Sequence, residues 1–169
     1  AIFDKRRCMV YAPNNHRKKK SFMIRLSKHS DRDVLIQNMK SNVPQYFAES
    51  EIVEFMDYLN EHAEHYYVYE DHGIIIGSGG INYFLDEGMA RISWDIIHPA
   101  HQNRGIGKQL VLYRINEIKK IPKIKFVIVR TSQMVYPFYQ QLGFQLEFIT
   151  KDYWAKGFDL YQMQMNIQV

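Results

Sequence analysis

From residue 22 onward the apolar positions follow two rhythms, one of period two and one of helical period, and their alternation predicts the order of elements. Met23, Ile24 and Leu26 in "FMIRLSK" read as a short strand, and the "HSDRDVLIQNM" that follows offers Ser30 or Asp31 as an N-cap ahead of an apolar stripe. "SEIVEFMDYLNEH" carries Ile52, Phe55, Met56 and Leu59 at helical spacing, with acidic residues near its start, where the helix dipole favours them. "YYVYED", "IIIGSGGINYF" and "ARISWDII" are rich in β-branched and aromatic residues, and the "DHG" and "DEG" between them are turn signals, so the three predict an antiparallel meander. Leu110, Val111, Ile115 and Ile118 share a helix face, while "KFVIVR" is a continuous apolar run of the kind buried on both sides of a sheet. "YPFYQQLGF" predicts a short helix stopped by Gly143, with an irregular start near Gln133 because proline suits only the first helical turn. "QLEFIT" and "FDLYQMQMNI" close the chain as strands. The predicted order is β α α β β β α β α β β, without an internal repeat.

Composition narrows the class of protein. A chain of 169 residues, 46% apolar and 14% aromatic, is about one domain long and can bury a substantial core. We expect that domain to span residues 22–169, with residues 1–21, which show neither period, as a basic N-terminal arm. His16, Arg17, Lys18, Lys19 and Lys20 in that arm could touch nucleic acid or an acidic partner, or form a solvated tail, and no function is assigned to them. The net charge of +4 suits an anionic ligand but lacks the concentrated basic face of a nucleic-acid binder. One cysteine, Cys8, gives no disulfide framework and suits a reducing compartment. No apolar run approaches the roughly 18 residues of a membrane span, and no signal-peptide core is present, so the expectation is a soluble, cytoplasmic protein with no membrane partner. The seven histidines are scattered, and neither C-x-x-C, H-E-x-x-H nor G-x-S-x-G occurs, so no metal site and no serine triad is predicted.

The chemistry concentrates in "ISWDIIHPAHQNRGIGKQL", residues 92–110, a strand, a glycine-containing turn and an amphipathic helix. Gln102, Asn103, Arg104, Gly105, Ile106, Gly107 and Lys108 stand directly before or within the helix start. Glycines let successive N–H groups converge there, and the helix start adds unpaired donors and partial positive charge. That makes an anion site, most naturally for a pyrophosphate, although a purely structural helix-start turn carries the same two glycines. The P-loop pattern fails at Gln102 and Gln109, and the dinucleotide fingerprint fails at Leu110.

"QNRGIG" matches the Q/R-x-x-G-x-G/A acyl-CoA loop of the GNAT N-acetyltransferases, and "FYQQLGF" resembles that family's second signature, at the family's separation of one helix and one buried strand. The likeness covers nearly all of the chain from Phe22 onward. It implies an α+β GNAT-type acyl-CoA N-acyltransferase fold, with a central mixed, mostly antiparallel sheet of six to seven strands and about four helices. It also implies acetyl transfer from acetyl-CoA to a primary amine by direct attack in a ternary complex, without a metal; the alternative is an acyl-CoA-binding sensor that has lost turnover. The acceptor would be a small-molecule or peptide amine, and a homodimer is compatible with the family.

Carried over residue by residue, the resemblance implies that main-chain N–H groups from Asn103 to Lys108 bind the pyrophosphate of coenzyme A. The strand "WDIIHP" would splay from "KFVIVR", so that the main chain at Ile96, Ile97 and His98 pairs with pantetheine and an N–H near Ile97 polarises the thioester carbonyl. Tyr139 matches the family tyrosine read as the general acid. A phenol of pKa about 10 can protonate a thiolate without being ionised itself; the other reading of Tyr139 is helix packing. For the base, Asp95 on the strand leading to the loop is ranked above His98 and His101, since alternation puts Asp95 and Ile97 on one side. Where many members have an asparagine at the end of the buried strand, this chain has Ser132 beside Gln133. Either of them would replace that cofactor contact, or Ser132 would cap the helix. Glu49, Glu51, Glu54 and Asp57 form an acidic helix face, read either as solvated surface or as an attraction for a cationic amine.

Overall fold

The predicted element order is realised in a computed structural model that describes residues 22–168; Cys8 and the basic arm lie outside the described residues. In chain order the elements are β1 (Phe22–Leu26), α1 (Arg32–Lys40), α2 (Glu51–Glu61), β2 (Tyr66–Asp71), β3 (Ile74–Phe84), β4 (Met89–Ile97), α3 (Ile106–Lys119), β5 (Phe126–Thr131), α4 (Tyr136–Gln141), β6 (Gln145–Ala155) and β7 (Phe158–Asn166). The strands form one seven-stranded sheet in the order β1-β2-β3-β4-β5-β7-β6. Only β4 and β5 are parallel, joined by the α3 crossover that a parallel pair needs. This is the mixed, mostly antiparallel sheet that was expected.

Helices cover both faces. Val111, Ile115 and Ile118 of α3, with Tyr139 of α4, pack on Ile81, Ile92, Val127, Val129 and Met163. On the other face Leu35, Met39, Phe55 and Tyr58 from α1 and α2 pack on Tyr66, Val68 and Ile96. β2 therefore buries residues of both parities, Tyr66 to Tyr69.

One irregularity shapes the site. Ser78 pairs with Ile96 but Gly80 pairs with Ser93, so β4 holds one residue more than β3 across this stretch. Trp94, at φ 53, is in the left-handed region within this bulge. A bulge resets the side-chain alternation. Ile92 thus faces α3, whereas Ile96, four residues later, faces α1 and α2. The Trp94 ring goes to the α2 side, 5.3 Å from the Phe55 ring centre, and its carbonyl accepts a hydrogen bond from the Tyr66 hydroxyl at 2.9 Å.

Some boundaries differ from the sequence reading. Neither Ser30 nor Asp31 caps α1 by its side chain; the Asp31 carboxylate instead accepts the Lys28 N–H at 2.7 Å and the Arg25 guanidinium at 2.8 Å. α4 begins at Tyr136 behind a turn in which the Ser132 carbonyl accepts the N–H groups of Val135 and Tyr136. β6 runs on to Ala155 with two register shifts against β7.

Candidate active site

β4 and β5 pair from Met89 opposite Phe126 only as far as Ile92 opposite Val129, although β4 continues to Ile97 and β5 to Thr131. Beyond that point the strands part, as expected for the "WDIIHP" strand. The His98 N–H donates to the Ile76 carbonyl at 2.9 Å, so His98 and, by alternation, Ile96 direct their main-chain groups toward β3. Ile97 lies between them, and its N–H is turned to the widening gap. The Ile97 carbonyl is already engaged: it accepts Asn42 Nδ2 and Gln102 Nε2, both at 3.1 Å. Gln102 also donates to Asn42 Oδ1 at 3.0 Å, so its side chain braces the end of β4 against α1.

The glycine turn follows a 3-10 turn, Pro99–His101, in which His98 Nδ1 accepts the Ala100 N–H at 3.2 Å. Asn103 at φ 60 and Gly105 at φ 77 adopt the left-handed backbone, and Gly105 is the N-cap of α3. Arg104 and Lys108 are exposed, whereas Ile106 is buried against Tyr69, Ile76 and Leu110, which leaves its main chain as the part available to a ligand. At Gly107 a Cβ would lie 3.3 Å from the Phe138 ring, so the missing side chain lets the start of α3 approach α4. Arg104 Nη1 lies 3.3 Å from His101 Nδ1.

Inside the gap three side chains from three elements meet. Arg114, in the middle of α3, is 0% exposed and donates from Nε to the Leu110 carbonyl at 3.1 Å and from Nη1 to the Gly80 carbonyl at 3.0 Å. Its Nη2 is ion-paired with Asp95 Oδ1, and the Tyr139 hydroxyl donates to Asp95 Oδ2. The bulge is what turns Asp95 to this side. Gly79 is needed opposite, since a Cβ there would fall 2.6 Å from Arg114 Nη1. Burial above all, then the Asp95 charge and the bond to it, push the Tyr139 phenol well above its ordinary pKa.

Asp95 and Tyr139 line a cleft of about 1310 Å³ that also reaches Glu51, Trp94, Arg91 and Arg130. Ser132 lies on its wall, 7% exposed. Glu51 is 5% exposed, and its Oε2 accepts the Ala48 N–H at 2.7 Å. Burial carries its carboxyl up to about 7 against that hydrogen bond. Among the described residues no group of three or more His, Cys, Asp or Glu side chains could hold a metal, and no helix is long and apolar enough to cross a membrane.

A family model for the acetyltransferase (GNAT) domain matches residues 62–146, half of the chain, including β4, the glycine turn, α3 and Tyr139. The chain belongs to the GNAT acetyltransferases. No curated protein matches it by sequence. Among solved structures, Ard1 from Thermoplasma volcanium is 17% identical with a TM-score of 0.74, over 88% of this chain and 99% of that one. The ribosomal-protein-S18-alanine N-acetyltransferase from Escherichia coli is 16% identical with a TM-score of 0.72, over 88% and 95%. The N-acetylglutamate synthase from Neisseria gonorrhoeae, complexed with coenzyme A and N-acetyl-glutamate, is 16% identical with a TM-score of 0.70, over 90% of this chain and 36% of that one. At such identities the likeness is one of fold.

In this GNAT domain, Arg114, Asn42 and the buried state of Glu51 escape a reading of the sequence alone. Arg114 stands in "LYRINE" like any solvated helix charge, although its place one residue before Ile115 on the apolar stripe is a weak signal. Arg114→Met should lower stability by about 3–5 kcal/mol in urea unfolding, because it strands Asp95. Adding Asp95→Asn should restore part of that loss, and equal losses in the single and double variants would exclude the ion pair as the cause. Glu51 gives a second expectation. Its folded pKa of about 7 lies above the usual carboxyl value, so the folded state holds the extra proton and stability falls as pH rises between about 4.5 and 7. Glu51→Gln should remove that slope and raise stability at pH 8 by about 2–3 kcal/mol, read as the difference between urea midpoints at pH 5 and pH 8.

Proposed function

We propose that the protein transfers the acetyl group of acetyl-CoA directly to a primary amine while both are bound. The observation that carries this reading is the parting of β4 from β5 just where an unpaired main-chain N–H, a glycine turn at a helix start and a buried tyrosine converge. The gap has the form of a slot for an extended chain, which the free edge of β4 can pair like an added strand. At its far end the left-handed backbone at Gly105 and the first N–H groups of α3 suit a pyrophosphate, with Arg104 and Lys108 exposed beside them. The Neisseria gonorrhoeae synthase, of the same fold, holds coenzyme A.

Acetyl-CoA supplies the activated acyl group; the remaining tasks fall to the chain. The Ile97 N–H faces the place where the carbonyl oxygen gains charge, and a fixed donor in a dry site stabilises that charge most. Tyr139 stays protonated across neutral pH and carries the proton that the departing thiolate needs. Asp95, with one oxygen held by Arg114 and the other by Tyr139, keeps the phenol aimed. Both ring systems considered as bases have engagements of their own, His98 with the Ala100 N–H and His101 with Arg104. Glu51, on the cleft wall with a carboxyl that burial raises to about 7, is the candidate acceptor of the amine's proton.

Calorimetric titration with acetyl-CoA, with ATP and NAD as controls, tests the ligand. Micromolar binding that the controls do not reproduce is expected, and Gly105→Val should abolish it through the strained backbone at a position of φ 77; failure of folded protein to bind acetyl-CoA would sink the reading. Tyr139→Phe should reduce kcat by roughly a hundredfold while acetyl-CoA affinity stays within about twofold, as removal of a proton donor predicts. Full activity in that variant would leave the tyrosine as packing alone.

A further inference from the structure

On the sheet face away from α3, where the cleft opens, two arginines stand side by side without a hydrogen-bond acceptor for their Nε groups among the described residues. Arg91 of β4 pairs with Ile128 of β5, and Arg130 follows Ile128 by two residues, so both guanidinium groups rise from the same face. The apolar cluster under α1 and α2 includes no residue of β5, β6 or β7, so among the described residues no helix packs on this half of the face. Arg91 is two residues before Ser93, where β4 leaves β5, which is about 7 Å along the strand from the gap.

Their surroundings hold them in place without satisfying them. The Arg130 guanidinium lies over the rings of Tyr153 and Trp154, 4.8 and 5.3 Å from their centres, and that of Arg91 lies 5.0 Å from the Phe84 ring centre. Stacking occupies the faces of the two forks and leaves their N–H edges free. The Nε groups of both are buried and meet no acceptor among the described residues. Nor is there an ion pair among the described residues: Glu147 accepts Gln162, and Asp159 accepts the Asp152 N–H, while Glu87 reaches Arg91 only through its field. Arg25 shows what satisfaction looks like in this molecule, bound to both Asp31 and Glu70. Two like charges brought together, half out of water and lacking acceptors, cost stability unless an anion joins them.

We propose that Arg91 and Arg130 form an anion subsite for the acceptor, so that the substrates are amines that also bear a carboxylate or phosphate-type group. This rests on the acetyltransferase reading above. The amine then passes Ser93 into the gap toward the Ile97 N–H while its oxyanion is held by the paired forks, and Trp154 and Phe84 flank the connecting chain.

The test uses the full protein with acetyl-CoA and three sets of acceptors: amino acids and short peptides, O-phosphoethanolamine, and the matching carboxamides and ethanolamine. Anionic amines should be used at least roughly tenfold better than their neutral counterparts, with the carboxylate and phosphate arms identifying the source of the oxyanion. Arg91→Gln and Arg130→Gln break no ion pair and should fold with unchanged acetyl-CoA affinity, yet raise KM for the anionic acceptor by roughly tenfold to a hundredfold, the scale of one charged hydrogen bond lost. Acetyl-CoA binding together with equal use of neutral and anionic amines, no transfer to any anionic amine, or an unchanged KM in both variants overturns the subsite and leaves the acetyltransferase reading standing. Should acetyl-CoA fail to bind, the reading beneath fails instead; thermal stabilisation by the anionic amines, lost in the double variant, would still support the arginine pair, and its absence would overturn it.

Discussion

A fully buried guanidinium in the apolar face of α3 sets the terms for the rest of the site. Such a charge persists only with an opposing charge and a filled set of acceptors. The Leu110 and Gly80 carbonyls provide acceptors, but the opposing charge must come from β4, and a regular β4 would point Asp95 to the other face of the sheet. The extra residue around Trp94 reverses that alternation. It sits where pairing with β5 ends, and a bulge bends and twists the strand that carries it. One inserted residue therefore completes a buried ion pair and accompanies the opening of the gap. β3 makes room for both with Gly79 and Gly80, where side chains would collide with Arg114 and with Tyr66.

The same pair reaches the proposed chemistry through Tyr139. Asp95 fixes the phenol, and α4, which bears it, lies against the first turn of α3 through Phe138 and Gly107. The packing of α4 on α3 thus ties the position of Tyr139 to that of the glycine turn. Neither depends on a loop free to move by itself. For a reaction in which proximity does much of the work, that rigidity matters more than the strength of any single contact.

Elements with a clear period were legible in the sequence, and their order holds throughout. The glycine turn was legible for a local reason: Gly105 needs a left-handed backbone, and few residues other than glycine tolerate it. What escaped depends on partners distant in the chain. "ISWDII" reads as an uninterrupted strand, because the bulge exists only in register against "GSGG". Arg114 resembles a surface charge until Asp95 arrives beneath it. Glu51 belongs to an acidic helix start whose neighbours Glu49, Glu54 and Asp57 are exposed, and only the turn from Ala48 buries it. The amide of Gln102, a residue placed in the cofactor loop by its motif position, is engaged by Asn42 and Ile97, and a motif alone does not give the direction of a side chain.

Where charge is satisfied and where it is not divides the molecule in a way that bears on function. Arg25 is bound by two carboxylates, and Arg114 by Asp95 and two carbonyls. The groups left incomplete line the cleft: a carboxyl on the α2 wall drawn up toward neutrality by burial, and two guanidinium groups over β4 and β5 whose buried Nε atoms meet no acceptor among the described residues. Each costs stability in the folded protein, and selection removes such costs where nothing offsets them. Incomplete charges scattered over the surface would mean little, because water completes them. Gathered around one cleft and partly shielded from water, they form a field that only a bound molecule carrying its own charges can balance. On the proposed reading, an amine passing Ser93 with an oxyanion at its other end would meet the arginines with that oxyanion and bring its proton toward the cleft's carboxyl groups, so the electrostatics that weaken the fold would be those that select its acceptor.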